Sequence, residues 1–264
     1  MNQKVLEDYL WGAANILRGM IDAADFKQYI FPLLFFKRVS DIWDEECQEA
    51  LDLSDGDMDY AKFRENHRFQ IPDGCHWSDI RTTVTDIGKK LQNALHEIEK
   101  ANFELLHDVF GDAQWTNKRR LSDEKLIDLI EHFSEMNLTV KNVPHDLMGD
   151  GYEYLINKFA DDSGHTAAEF YTNRTVVELM TRITNPKPGE SVYDPTCGSG
   201  GILLNSALYL KKQGKEYRNL KLFGQELNLI TSAIARMNMF MHAIDEFLIV
   251  QGDTLDQPQI LEND

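Results

Sequence analysis

The sequence predicts an α/β protein: an all-helical N-terminal domain over residues 1–145, then the first half of a Rossmann-like sheet over residues 146–264. Two observations carry this expectation. Apolar residues recur at three- and four-residue steps through the first part, the spacing of one helix face. Beyond it, short apolar runs alternate with long helical ones in the order β-α-β-α-β, which implies parallel strands joined by right-handed crossovers in a doubly wound sheet.

In chain order, "LEDYLWGAANILRGMI" sets Leu6, Leu10, Ala13, Leu17 and Met20 on one helical face. "DFKQYIFPLLFFKRVSDIWDEE" is apolar almost all round at its centre, as a buried helix is, with Pro32 in the first turn or at a kink. Residues 54–76 are rich in turn formers and read as loop. Residues 84–110 repeat Ile87, Leu91, Leu95 and Ile98 at helical steps, and Ser122 followed by Asp123 and Glu124 starts another helix. "LMGDGYEYLINKFADDSG" reads as a turn and a short helix, and "FYTNRTVVELMTRIT" as a helix stopped by "NPKPGE". Strands then fall at 191–194, 221–227 and 246–253, with helices at 201–214 and 229–244 between them.

The net charge of −17 argues against strong binding of a phosphate backbone by the isolated chain, because such affinity comes mainly from Lys and Arg. Residues 1–150 hold 29 acidic and 17 basic residues, which points to a protein partner. Lys37-Arg38 and Lys118-Arg119-Arg120 are candidate DNA or subunit contacts, a solvated turn being the default for the second cluster. No apolar run approaches a membrane span, and acidic residues stand where a signal peptide would be apolar, so a cytoplasmic protein is expected. Cys47, Cys75 and Cys197 have no metal-ligand spacing; reduced thiols and no metal site are expected.

The chemistry gathers around "DPTCGSGG", residues 194–201. A triphosphate loop would end in Gly-Lys-Ser/Thr and a dinucleotide loop would read G-x-G-x-x-G; this turn does neither. In such a sheet ligands bind beyond the carboxyl ends of the strands, and three strand ends here each deliver a carboxylate: Asp194, Glu226 and Asp253. Glu226 lies 28 positions after Gly198, in the place of the acidic residue that takes ribose hydroxyls in nucleotide-binding folds. A third carboxylate would repel a diphosphate and tolerate a ligand with an ammonium, a sulfonium and an exocyclic amine, which S-adenosylmethionine (SAM) carries.

With "AEFYTNR", "YDPTCGSGG", "FGQELN" and "GDTL" in order, the chain resembles the modification subunit of type I restriction–modification systems, an adenine-N6 DNA methyltransferase. The stretches "LWGAANILRGMIDAADFKQYIFPLLFFKRVSD" and "LMGDGYEYLINKFA" resemble that family's helical N-terminal domain and the segment that follows it. The resemblance implies that Phe170, Tyr171 and Thr172 line the methionine end of SAM. Asp194, Pro195 and the turn Cys197, Gly198, Ser199, Gly200 and Gly201 would hold its amino-acid portion. Glu226 would accept the ribose hydroxyls, and Asp253 the adenine amine. It also implies a specificity subunit, a restriction subunit, a second modification subunit and double-stranded DNA as partners.

Two departures stand out. Asn173 replaces the proline usual after the threonine. The family's catalytic signature, Asn or Asp, Pro, Pro and an aromatic, is missing: the chain has no Pro-Pro and runs only eleven residues past Asp253. A truncated chain with no catalytic residues of its own is therefore expected, inactive alone. The alternatives are a non-catalytic SAM-binding scaffold and a dinucleotide-dependent dehydrogenase, which the glycine pattern disfavours. The Cys197 thiol reads as structural rather than nucleophilic, and the "RMNMFM" run as a buried helix face.

Overall fold

A computed structural model of the chain describes residues 1–19, 21–22, 25–162 and 171–261. The chain divides into two compact units, Met1–Leu147 and Met148–Asp264. No helix among the described residues is long and apolar enough to cross a membrane.

The first unit is built from helices α1 (Gln3–Leu17), α2 (Lys27–Leu53), α3 (Met58–Ala61), α4 (Trp77–Arg81), α5 (Ile87–Ala101), α6 (Phe103–Leu106) and α7 (Asp123–Ser134). Asn2 caps α1 and Ser122 caps α7, each side chain accepting an amide from the first turn. Leu6, Leu10, Ala13 and Leu17 are buried as their spacing predicts; Met20 lies outside the described residues. Helix α1 packs on α7, where the Tyr9 hydroxyl donates to the Phe133 carbonyl at 2.9 Å.

Helix α2 is the buried helix expected, but Pro32 sits in its second turn rather than its first. Residues 54–76 are not all loop: α3 and a 3₁₀ turn at Arg64–Asn66 form there, α3 being capped by Asp57. The helical run at 84–110 breaks at Asn102. Its side-chain amide donates to the carbonyls of Ile98 and Gln70, and its oxygen accepts the Gln70 amide at 2.8 Å, tying the helix end to a distant strand of chain.

Lys37 and Arg38 are not surface contacts. They are 4% and 2% exposed, because Lys37 pairs with Asp41 and Arg38 donates to the Leu138 carbonyl. Asp41 also accepts the Leu138 amide at 2.6 Å, so three charged side chains and one backbone turn meet inside the core. Lys118 pairs with Asp86 and Asp123, and Arg120 with Asp25, on the exposed surface.

Helix α8 (His145–Asp162) is one continuous helix of 18 residues rather than a turn and a short helix. Met148, Tyr152, Leu155, Ile156 and Phe159 are buried at helical spacing. Their burial outweighs the roughly 1 kcal/mol that each helical glycine costs relative to alanine.

The second unit continues with α9 (Arg174–Thr184), β1 (Ser191–Asp194), α10 (Gly201–Lys212), β2 (Lys221–Glu226), α11 (Leu229–Met241) and β3 (Phe247–Gln251). The strands are parallel, in the order β1-β2-β3. Register sets Asp194, Gly224 and Ile249 side by side. Leu222 and Ile249 join Leu203, Leu204, Ala207, Ala235 and Met239 in one core, so α10 and α11 cover that face of the sheet. On the opposite face Tyr193 and Leu248, each paired with Phe223 between them, are exposed. On α9, Val176, Leu179, Met180 and Ile183 form an exposed apolar stripe, Ile183 being 73% exposed.

Candidate cofactor site

The carboxyl ends of β1, β2 and β3 bring the predicted acidic residues to one end of the sheet. Asp194 closes β1 and is 7% exposed. Its Oδ1 accepts the Thr196 amide at 3.1 Å, a side-chain turn that redirects the chain toward α10. Burial pushes this carboxyl above the usual carboxylate range; the Thr196 bond opposes the shift, and the neighbouring Glu226 adds to it.

The turn that follows is stitched to β2. The Cys197 amide donates to the Gln225 carbonyl at 3.0 Å, the Gly198 amide to Glu226 Oε2 at 3.0 Å, and the Gly200 amide to the Cys197 carbonyl at 2.8 Å. Gly200 holds φ at +80°, in the left-handed region, and a Cβ there would lie 2.8 Å from Met239 Cε. Its bareness therefore serves the backbone and the packing on α11. Among the described residues no side chain caps the start of helix α10. Cys197 is buried, and burial pushes its thiol up, assisted by Asp194 and Glu226, which disfavours the thiolate.

Glu226 is already oriented. Its second oxygen, Oε1, accepts the Asn228 amide at 2.9 Å, so each oxygen keeps one backbone bond and spare acceptor capacity. Asp253 lies two residues past β3, exposed, with Oδ1 accepting the Leu255 amide at 2.9 Å. The segment after it runs across the strand ends. Thr254 Oγ1 donates to the Pro195 carbonyl at 2.5 Å, and the fully buried Gln225 side chain binds Gln257 and Gln259 through both ends.

Tyr171 is half-buried, with the Arg174 guanidinium 4.5 Å over its ring. The side chain of Thr172 is exposed, and its carbonyl accepts from Arg174 Nη1 at 3.3 Å. Phe170 lies outside the described residues. Asn173 accepts the Thr175 amide at 2.9 Å and so caps α9, which accounts for an asparagine at this position. Sequence reasoning missed Gln225, Thr254, Glu153 and Asn238. The available signal for Asn238 was one amide in the apolar "RMNMFM" run, where an unpaired polar group would be costly.

Comparisons with known proteins match both units of the chain. The N-6 DNA Methylase family matches residues 143–264, and the HsdM N-terminal domain family matches residues 6–133. The MpnII methylase subunit of a type I restriction enzyme from Mycoplasma pneumoniae is 28% identical over 95% of this chain and 52% of its own length. The MjaIX methylase subunit from Methanocaldococcus jannaschii is 24% identical over 90% of the chain and 46% of its own. The crystal structure of a type I restriction-modification methyltransferase subunit from Streptococcus thermophilus superposes with a TM-score of 0.79 at 27% identity, covering 99% of this chain and 61% of that one. The chain thus spans about half the length of the curated relatives it matches. With the two matched domains lying in tandem along nearly all of it, the chain belongs to the family of type I restriction enzyme methylase subunits.

Proposed function

We propose that the chain is the SAM-binding part of a modification subunit that methylates N6 of adenine in DNA. The observation that carries this reading is the bond from the Gly198 amide to Glu226, beside a buried Asp194, at the carboxyl ends of parallel strands. The donor set fits SAM. Carboxylates suit an ammonium, a pair of hydroxyls and an amine, and the turn itself holds no cation for a diphosphate. Arg174, whose guanidinium reaches the turn, is paired with Glu153 at 2.5 Å.

Bound SAM supplies a methyl group on a positively charged sulfur. Around it, Asp194 and the turn from Cys197 to Gly201 hold the amino-acid end, Glu226 takes the ribose hydroxyls, and Asp253 accepts from the adenine amine. Tyr171 and Thr172 line the methionine end. Calorimetry with SAM and with NAD tests the assignment: SAM should bind and NAD should not. Binding of NAD in place of SAM would return the site to the dinucleotide class.

The groups that polarise the target amine and stack a flipped base are not in this sequence, so the chain alone transfers no methyl group. The exposed stripe on α9 and the exposed Tyr193 and Leu248 support a role within a larger assembly, because apolar surface of this kind is normally covered. Specificity and restriction subunits and a second modification subunit are the proposed partners. The acidic balance supports DNA being held by that complex rather than by this chain alone, and the cytoplasm is the proposed location. Labelled SAM, duplex DNA and the specificity subunit, incubated with this chain, should leave adenine unlabelled. Label in adenine would overturn the proposal.

A further inference from the structure

Three polar side chains, from three different helices, meet behind the glycine turn. Glu153 on α8 accepts Arg174 Nε at 2.5 Å through Oε2 and Asn238 Nδ2 at 2.7 Å through Oε1. Asn238, fully buried on α11, donates also to the Ser199 carbonyl at 3.1 Å. Arg174, at the start of α9, lies over the Tyr171 ring and donates to the Thr172 carbonyl. It also presses on the turn: a Cβ on Gly201 would fall 1.9 Å from Arg174 Nη1, so only glycine admits the guanidinium there.

We infer that Glu153, Arg174 and Asn238 form a positioning relay that locks Tyr171 and the glycine turn together as one preformed wall of the cofactor site. The inference rests on the SAM reading. Its physical basis is the donor–acceptor count. Both neighbours of Glu153 are donors, so a carboxylate satisfies them together, whereas a glutamine there has one acceptor oxygen and sets an N–H against an N–H. The relay is also incompletely satisfied: Arg174 Nη2 and Asn238 Oδ1 are buried without a hydrogen-bond partner among the described residues. None of the three is a catalytic residue; each acts through Tyr171 or the turn.

The test uses Glu153→Gln and Arg174→Lys in the intact chain. The lysine keeps the charge and loses the planar guanidinium over Tyr171. Each variant is titrated by calorimetry with SAM and with methylthioadenosine, which has the adenosine but no amino-acid end, and its melting temperature is recorded. A preformed wall at the amino-acid end predicts that SAM affinity falls about tenfold or more in both variants. Methylthioadenosine should hold within about twofold, because Glu226 and Asp253 are untouched. SAM affinity unchanged in both variants overturns the relay and leaves the cofactor reading standing. Equal losses for both ligands also overturn it, since the three residues would then support the fold alone. If Glu153→Gln does not fold, Arg174→Lys decides by the same criteria. A wild-type chain that binds neither ligand refutes the cofactor reading itself, and the relay with it.

Discussion

The amide of Gly198 and the carboxylate of Glu226, 28 residues apart, share a hydrogen bond of 3.0 Å. One side chain thereby fixes the glycine turn against the end of the neighbouring strand and keeps acceptor capacity for a ligand. Glu226→Ala removes both functions. SAM affinity should fall by about 2 kcal/mol or more, the worth of two charge-assisted bonds. Calorimetry reads the change, and an unaltered affinity would remove Glu226 from the site.

Gly200→Ala should destabilise the protein before it affects any ligand. The substituted residue would be held at φ +80° with its Cβ 2.8 Å from Met239 Cε. Left-handed backbone costs a non-glycine residue roughly 1–2 kcal/mol, and the methionine must also shift. Denaturant melts should show the loss without cofactor present. A stable variant that fails only to bind SAM would instead place the ligand against this glycine.

Asn173 offers a test of the one motif departure that the fold accounts for. Asn173→Ala removes the cap of α9 and should cost about 1 kcal/mol. Asn173→Pro should fall closer to wild type. Its φ of −52° suits proline, and reduced freedom of the unfolded chain returns about 0.4–1 kcal/mol. Chemical denaturation of the two variants side by side gives the ordering; proline worse than alanine would contradict it.

Glu46 carries a pH dependence. Burial raises its carboxyl to about 7, against the Arg68 amide and guanidinium, which lower it. Its Oε2 lies 3.4 Å from Nδ1 of His67, an imidazole whose pKa burial lowers and whose Nε2 faces the Ala61 carbonyl at 2.8 Å. A raised acid stabilises the fold below its unfolded pKa and loses that contribution as pH rises through the folded value. The loss therefore accumulates from the ordinary glutamate range up to about 7. Glu46→Gln should remove it. With the side chain 24% exposed, solvent screening limits the gain to about 1–2 kcal/mol. The variant's advantage over wild type should widen between about pH 5 and pH 8. Parallel stability curves would discredit the assignment.

Several elements were legible because local physics alone specifies them. The spacing of Leu6, Leu10, Ala13 and Leu17 sufficed for α1, and the alternation of short and long apolar runs for three parallel strands. The helices at 58–61 and 64–66 were hidden by turn-forming residues that also cap short helices. Continuous α8 was hidden by Gly149 and Gly151, whose weak preference yields to the buried face beside them. Propensity reports the isolated chain, and burial reports the folded one.

The sequence by itself determined the order of the domains, the three carboxylates at the strand ends and the glycine turn, because each follows from residue type and near-neighbour spacing. Only the tertiary structure decided where the charges go. Lys37 and Arg38 turn inward because their helix is buried: Asp41, one turn further along it, pairs with Lys37, and the Leu138 carbonyl, 100 residues away, meets Arg38. Glu153, Arg174 and Asn238 converge although 21 and 64 positions separate successive members. Hydrogen bonds act over about 3 Å, so residues distant in sequence acquire a common role only once packing has brought their helices together.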